Sequence, residues 1–268
     1  MTHVGSSQTP LHSVRNRLTW AQEQLITIAA EMEWFLRDKP YRVRCKLECN
    51  GAEYACYLTQ HTPVPSRVSL MVGDCIHNLR SVLDNLIWTL TECNGNAAPK
   101  TIPPFGDPWR TIAFPLRSKP FPKTDFQTGA HERLWGIAPG AKDLVEWLQP
   151  YKRSDETLAA ALAYLEEFAN MSKHRFLPLA LGEPFLLAKS LRDFPPATNR
   201  FNPGPLGDGA EIARMAFATP QREVKVDFEF VFAVLFDEPT PVRGEVTSIL
   251  SGMAKAVDTV VSWFEPLV

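Results

Sequence analysis

The chain has 268 residues, of which 45% are hydrophobic and 22% charged, a composition typical of a globular protein with a sizeable core. The 28 Lys and Arg side chains are balanced by 30 Asp and Glu, which gives a formal net charge of -2. This balance excludes a histone-like or polybasic protein, so any contact with nucleic acid must be local. Because no apolar stretch approaches the roughly 18 residues of a membrane span, and because residues 1–13 lack the apolar centre of a secretory signal, we expect a cytoplasmic protein with no membrane partner.

The predicted elements begin with a helix over 14–37, where apolar side chains recur at the spacing of one helical face. We expect residues 1–13 to form a flexible N-terminus and 14–268 to form a single compact domain. The parts predicted within that domain are a helical part over 14–176 with a β-hairpin over 41–60, a strand-rich part over 177–241 and a final helix over 243–264.

The hairpin is predicted from two alternating runs that flank Asn50 and Gly51, a dipeptide typical of two-residue hairpin turns. The register that follows from this turn places Cys45 opposite Cys56 on the apolar face. A disulfide is within reach of that pair. However, the five cysteines are an odd set in a chain without an export signal, so we expect Cys45 and Cys56 to be buried free thiols.

Three more helices are predicted after the hairpin, at 67–93, 140–150 and 155–175. Beyond them, residues 177–191 suggest two short strands, and residues 223–236 alternate apolar side chains as a buried strand does. We therefore predict an α+β fold with about five helices, the N-terminal hairpin and C-terminal antiparallel strands.

Several familiar motifs are absent: the phosphate-binding G-x-x-x-x-G-K-[ST], the dinucleotide-binding G-x-G-x-x-G, the G-x-S-x-G of hydrolases with a nucleophilic serine, and the zinc-binding H-E-x-x-H. Asp74 and His77 share a helical face, as metal ligands of carboxylate bundles do, but the second copy of that spacing is missing. We therefore predict neither a cofactor nor a bound metal ion.

The helix over 67–93 has an unusual polar face. Its side chains are Asp74, His77, Asn78, Ser81, Asp84, Asn85 and Trp88. A solvated helical face is usually filled with Lys, Glu, Gln and Arg, whereas Asp, His, Asn and Ser are short, directional hydrogen-bonding groups. Three interpretations fit this choice of residues: a buried polar network between helices, a ligand or catalytic site, or an ordinary solvated face.

The helix over 155–175 offers a partner for that face, because its far side carries Asn170 and His174. Lys173 and Arg175 have a purely structural explanation, since cations near a helix C-terminus interact favourably with the helix dipole. The functional alternative is that this helix end contributes to a site shared with the polar face.

In that alternative, His77 and His174 face each other and Asp74 or Asp84 holds one imidazole. A carboxylate beside a histidine fixes its tautomer and raises its pKa, which suits general acid and base catalysis. We therefore predict Asp74, His77, Asp84 and His174 as catalytic candidates. The candidates for substrate binding, with the arginines on phosphate, are Asn78, Arg80, Ser81, Asn170, Lys173 and Arg175.

The segment from Gly73 to Trp88 resembles a GDxxHNLRSxLDxLxW pattern in a widespread group of uncharacterised bacterial and phage-encoded proteins. In that group an Asn-x-x-Lys-His-Arg motif, here at 170–175, follows a Gln-Pro-Tyr, here at 149–151. More distantly, helical pairs with a basic, histidine-bearing end are similar to the HEPN superfamily of metal-independent ribonucleases of toxin and phage-defence systems. The motif of that superfamily, an Arg separated from a His by four to six residues, is absent here.

The tryptophans near helical apolar stripes are predicted to be core residues rather than stacking platforms. They are Trp20, Trp34, Trp88, Trp135, Trp147 and Trp263.

Two function hypotheses follow from these patterns. In the first, the chain is an RNA- or nucleotide-directed protein, such as a ribonuclease-like defence component, that uses the polar cluster. In the second, it is a non-enzymatic interaction protein, in which the cluster is structural and the final helix contacts a second copy or another protein. The first predicts that His174→Ala abolishes activity without changing stability, and the second that it costs about 1–3 kcal/mol of stability.

Overall fold

A computed structural model describes residues 10–60, 62–94, 107–190, 198–202, 205–224 and 227–268. The architecture is α+β, as predicted, with an N-terminal hairpin and two antiparallel sheets. The helices are α1 (His12–Arg37), α2 (Ser66–Cys93), α3 (Pro108–Thr111), α4 (Phe126–Gly129), α5 (Pro139–Trp147), α6 (Glu156–Ser172) and α7 (Val246–Phe264). The strands are β1 (Tyr41–Glu48), β2 (Glu53–Gln60), β3 (Leu179–Ser190), β4 (Thr198–Phe201), β5 (Pro205–Leu206), β6 (Glu211–Ala216), β7 (Asp227–Phe236) and β8 (Gly244–Glu245).

The predicted helices are confirmed as α1, α2, α5, α6 and α7. α5 begins at Pro139, whose missing N–H costs nothing in a first helical turn. α6 is capped by Asp155, because its carboxylate accepts hydrogen bonds from the backbone N–H groups of Thr157 and Leu158. Among the described helices, none is long and apolar enough to cross a membrane. Residues 1–9 of the predicted flexible N-terminus lie outside the described residues.

The predicted hairpin register is confirmed, with Cys45 opposite Cys56 on β1 and β2. Asn50 and Gly51 adopt φ angles of 54° and 88° at the turn, as a two-residue turn of this kind requires. Only glycine fits at position 51, because a Cβ atom there would lie 2.1 Å from the backbone oxygen of Gln221.

The expectation of two free thiols in the hairpin is wrong. Cys45 and Cys56 form a disulfide, since directly opposite positions on antiparallel strands bring the two sulfur atoms within bonding reach. The odd cysteine count is explained by Cys49, Cys75 and Cys93, which are free thiols. Cys75 is buried in α2, and this burial raises its pKa to about 12.

The hairpin belongs to a four-stranded antiparallel sheet with the strand order β1-β2-β6-β4. Arg214 on β6 forms ion pairs with three carboxylates, those of Glu48, Glu53 and Glu211. Because Glu48 and Glu53 flank the hairpin turn, these ion pairs connect β6 to both hairpin strands.

The second sheet is also antiparallel and has the order β5-β3-β7-β8. The expectation of two short strands within 177–191 is wrong, because the single strand β3 covers most of that range. Its register against β7 shifts between Gly182 and Phe185. This irregularity accommodates Pro184, which has no N–H to donate to the ladder. In the predicted strand over 223–236, residues 225–226 lie outside the described residues.

The chain divides into two compact units. The first comprises the described residues of Met1–Thr27, Met71–Phe176 and Thr247–Val268, and its fully buried side chains include Leu79, Leu83, Phe114, Phe168 and Phe264. The second comprises the described residues of Ile28–Leu70 and Leu177–Val246 and contains both sheets. Its fully buried side chains include Leu58 and Phe236.

Three of the tryptophans predicted to be core residues are exposed instead. Trp20, Trp34 and Trp147 have exposed fractions of 56%, 47% and 51%. The ring of Trp34 lies over the Arg67 guanidinium, and the ring of Trp147 lies over that of Arg153. A tryptophan ring that stacks on a guanidinium is stabilised without being buried in the core. The helical spacing of apolar residues therefore predicted more buried tryptophans than the structure contains.

Candidate anion-binding site

Arg80 is the most heavily hydrogen-bonded polar side chain on α2, and its side chain is only 10% exposed. Its Nε donates to Oε2 of Glu166 at 2.9 Å, and its Nη1 donates to Oδ1 of Asp84 at 2.6 Å. Its Nη2 donates to the backbone oxygen of Phe114 at 2.6 Å. All three nitrogens are therefore engaged by protein acceptors, which differs from the predicted contact between Arg80 and phosphate.

Asp84, a predicted catalytic carboxylate, belongs to the same network. Its Oδ1 also accepts a hydrogen bond from the backbone N–H of Phe114 at 2.9 Å. Asp84 follows Arg80 by one helical turn, so both side chains project from one side of α2. Together they hold the backbone of Phe114, which opens the segment that forms the cleft described below.

Contacts between α2 and α6 show that these helices lie side by side, as predicted. A Cβ atom on Gly73 would be 3.6 Å from Cβ of Ser172, and about two turns further along α2 Arg80 binds Glu166. The order of these contacts along the chain shows that the helices run antiparallel.

The predicted cluster between the two helices does not form as a whole. Asp74, His77 and His174 are exposed, and within the described residues their side chains make no hydrogen bond or ion pair. Nδ2 of Asn78 donates to Oε1 of Gln24 on α1 at 2.8 Å. Because successive residues of a helix point about 100° apart, the polar side chains of α2 face different neighbours and cannot all reach α6. The predicted hydrogen bond between a histidine ring and the carboxylate of Asp74 or Asp84 is absent from the described residues.

The C-terminal part of α6 extends the network of Arg80. Nδ2 of Asn170 donates to Oε1 of Glu166 at 3.2 Å, and Nζ of Lys173 donates to Oδ1 of Asn170 at 3.2 Å. Both oxygens of Glu166 are therefore hydrogen-bonded. The remaining substrate-binding candidates are Arg175, which is exposed, and Ser81, which is half-buried on α2.

A cleft of about 230 Å³ lies beside Glu166. Its lining residues come from α6, from α4 and from the segments on either side of α4: Pro115, Leu116, Arg117, Phe121, Gly129, Arg133 and Glu166. Glu166 is the lining carboxylate, and Arg80 lies directly against it at 2.9 Å. The negative charge at this wall is therefore partly compensated from behind by a buried cation, which Glu166 shares with Asp84.

The guanidinium of Arg117 is held in a defined position in the cleft. Its Cζ lies 3.9 Å from the centre of the Phe121 ring, and its Nε donates to the backbone oxygen of Lys119 at 3.1 Å. The ring of Phe121 needs glycine at position 129, because a Cβ atom there would lie 2.6 Å from the ring. Arg117 is thus ordered before any ligand arrives, which lowers the entropic cost of binding.

Arg133 adds a second cation to the cleft and is exposed. Within the described residues, neither Arg117 nor Arg133 has a carboxylate partner. The segment 110–133 that contains both carries five basic side chains and two acidic ones, a net charge of +3 in a chain whose net charge is -2. The cleft is therefore a local positive site, and its arginines present the donor groups that bind phosphate or carboxylate.

The sequence analysis missed Arg117 and Arg133, although a signal for them was present. A count of charge in a sliding window would have identified 110–133 as one of the basic segments of a weakly acidic chain, beside 37–46. What such a count could not show is that the backbone of Phe114 is fixed to α2.

Among the described residues, no group of three or more His, Cys, Asp or Glu side chains is arranged to hold a metal ion. Comparison of the chain with protein-family models, curated proteins and solved structures gave no significant match in any of the three.

Proposed function

We propose that the chain binds a phosphate group of RNA or of a nucleotide in the cleft between Arg117 and Arg133. The observation that carries this proposal is the pair of arginines without carboxylate partners, on a wall whose own carboxylate is occupied by Arg80. Guanidinium groups bind phosphate oxygens through paired, charge-assisted hydrogen bonds.

The size of the cleft supports a phosphate rather than a complete cofactor. Its volume of about 230 Å³ is below the roughly 300–1,000 Å³ of pockets that enclose drug-sized ligands. A phosphate with its flanking sugar contacts such a cleft while the base remains outside. Binding in this mode is insensitive to base sequence, because phosphate contacts carry no sequence information.

RNA cleavage is not part of the proposal, because an acid or base must come within hydrogen-bonding reach of the proton that it transfers. His77 and His174 are exposed and are not among the residues that line the cleft. Their catalytic assignment stays a prediction, as do the ribonuclease-like activity and the defence setting suggested by the resemblance.

The test uses fluorescence anisotropy with a labelled, short single-stranded RNA. We expect saturable binding by the unaltered protein, and an affinity at least tenfold lower for Arg117→Gln and for Arg133→Gln, since charged hydrogen bonds contribute about 1.5–3 kcal/mol. Arg175→Gln is the matched control, because Arg175 is exposed and lies outside the cleft lining.

Competition by adenosine monophosphate and by inorganic phosphate separates the two sources of the phosphate group. Competition by the mononucleotide at micromolar concentration would identify a nucleotide site, and competition by RNA alone would identify an RNA site. If Arg175→Gln weakens binding as much as Arg117→Gln, or if no phosphate compound binds, the proposal is wrong.

A further inference from the structure

A second cavity lies in the first unit, between the start of α6 and one face of α7, and has a volume of about 350 Å³. Its apolar lining includes Leu158, Ala161, Ala256 and Trp263, and its charged lining residues are Asp155 and Lys255. We call this cavity the α6–α7 groove. Its volume and apolar walls are typical of sites that bind small organic molecules.

The groove is open beside Gly252 of α7. A Cβ atom at this glycine would meet no other atom within 4 Å, so packing does not require glycine here. Glycine also weakens a helix interior relative to other residues. Glycine at position 252 therefore does not improve packing or helix stability, and its effect is to leave open space in the groove.

One end of the groove is next to a buried cation. The side chain of Arg153 is only 8% exposed, and its Cζ lies 4.3 Å and 5.1 Å from the ring centres of Trp147 and Trp263. Its Nη2 is 3.7 Å from Oδ2 of Asp155, which is longer than a hydrogen bond. Its Nε and Nη1 are buried and have no hydrogen-bond partner in the described part of the chain.

This cation contacts two of the residues that line the groove, Trp263 and Asp155. The carboxylate of Asp155 already accepts hydrogen bonds from the backbone N–H groups of Thr157 and Leu158, which cap α6. The positive end of the α6 dipole is nearby, and together with Arg153 it favours an anionic head group at this end of the groove. Lys255 adds a positive charge to the groove lining on α7.

We propose that the α6–α7 groove binds a small alkyl carboxylate, with its chain along Leu158 and Ala256 and its acid group on Arg153. Buried N–H groups without acceptors are unfavourable, and the oxygens of a carboxylate can accept from one of the two unpartnered nitrogens of Arg153. To reach that nitrogen, the ligand must displace the ring of Trp263 from the guanidinium. Binding therefore changes the environment of a tryptophan.

The experiment titrates the full chain with octanoate and follows heat release and tryptophan emission together. Octanol and octylamine carry the same alkyl chain with a neutral and a cationic head group. We expect saturable binding of octanoate, with a change in tryptophan emission, and binding at least tenfold weaker for octanol and octylamine. In Arg153→Gln we expect the preference for octanoate over octanol to be lost.

Gly252→Leu is the second variant, because leucine favours the helix and its side chain fills the open space of the groove. We expect this variant to have a melting temperature equal to or above that of the unaltered protein and to lose binding of octanoate. Equal binding of octanol, preferred binding of octylamine, or octanoate binding that Gly252→Leu does not change would each overturn the proposal.

Discussion

Arg80 and Arg153 are both buried arginines of the first unit, but their surroundings differ in one respect. Each nitrogen of Arg80 donates to a protein oxygen, whereas two nitrogens of Arg153 have no acceptor within the described residues. A guanidinium whose partners are all supplied by the protein is part of the scaffold. One whose partners are missing can accept them from a ligand, so the difference separates a structural arginine from a binding arginine.

The largest expected effect is that of Arg80→Met on stability. Removal of this cation leaves the carboxylates of Glu166 and Asp84 without their common partner. These carboxylates are 28% and 38% exposed, so we expect a loss of about 2–3 kcal/mol, below the roughly 3–5 kcal/mol of a fully buried pair. Chemical denaturation measures the free energy of unfolding, with Arg175→Met as the exposed control. A loss below about 1 kcal/mol would contradict the structural role of Arg80.

A third arginine, Arg214 on β6, belongs to a half-buried ion-pair network. The pKa of Glu48 is lowered to about 2, because Lys46, Tyr57 and Arg214 donate hydrogen bonds to its carboxylate. A lowered folded-state pKa means that this contribution to stability is present above the ordinary pKa of about 4.5 and is lost as the pH falls from there towards 2. In Glu48→Gln, denaturation curves between those pH values should depend less on pH. An unchanged pH dependence would show that the network does not stabilise the sheet.

A smaller effect is expected for Arg153→Met. The cation is lost, but it leaves no carboxylate buried without a partner, since Asp155 is 51% exposed and remains the cap of α6. The stacking of a cation on tryptophan contributes about 0.5–1 kcal/mol, and we expect the free energy of unfolding to change by no more than that. A loss as large as that of Arg80→Met would remove the distinction between the two arginines.

The smallest effect is expected for His174→Ala. This side chain is exposed and makes no hydrogen bond or ion pair within the described residues, so the change in stability should stay within about 0.5 kcal/mol. The same variant should bind RNA as the unaltered protein does. A stability loss of about 1–3 kcal/mol would instead support the buried polar network that was one of the interpretations of the sequence.

The elements that depend on local chemistry could be predicted from the sequence. Alternation around Asn50 and Gly51 fixed the hairpin register, and helical spacing found the five longer helices. β3 was misjudged because Pro184 within an apolar run is typical of a break, whereas a bulge absorbs it here. The Cys45–Cys56 disulfide was misjudged because compartment arguments outweighed the geometry of the pair.

The site could be predicted only in part. The polar residues of α2 were predicted to form a site in which Arg80 contacts phosphate and Asp84 holds an imidazole, whereas Arg80 and Asp84 bind each other. Both side chains also bind the backbone of Phe114, which accepts from Arg80 and donates to Asp84. A pattern of side chains in the sequence cannot predict a hydrogen bond to the backbone of a distant segment. Arg117 could not be predicted as a site residue either, because its position depends on contact with the ring of Phe121 and on the backbone of Phe114 before it.

The salt dependence of RNA binding tests the central claim most directly, because each phosphate contact releases counterions. For single strands, the slope of log affinity against log salt concentration changes by about 0.7 per contact. We predict that Arg117→Gln/Arg133→Gln has a slope about 1.4 shallower than the unaltered protein, and that Arg175→Gln keeps the full slope. An unchanged slope in the double variant, or a shallower one in Arg175→Gln, would show that phosphate binds elsewhere.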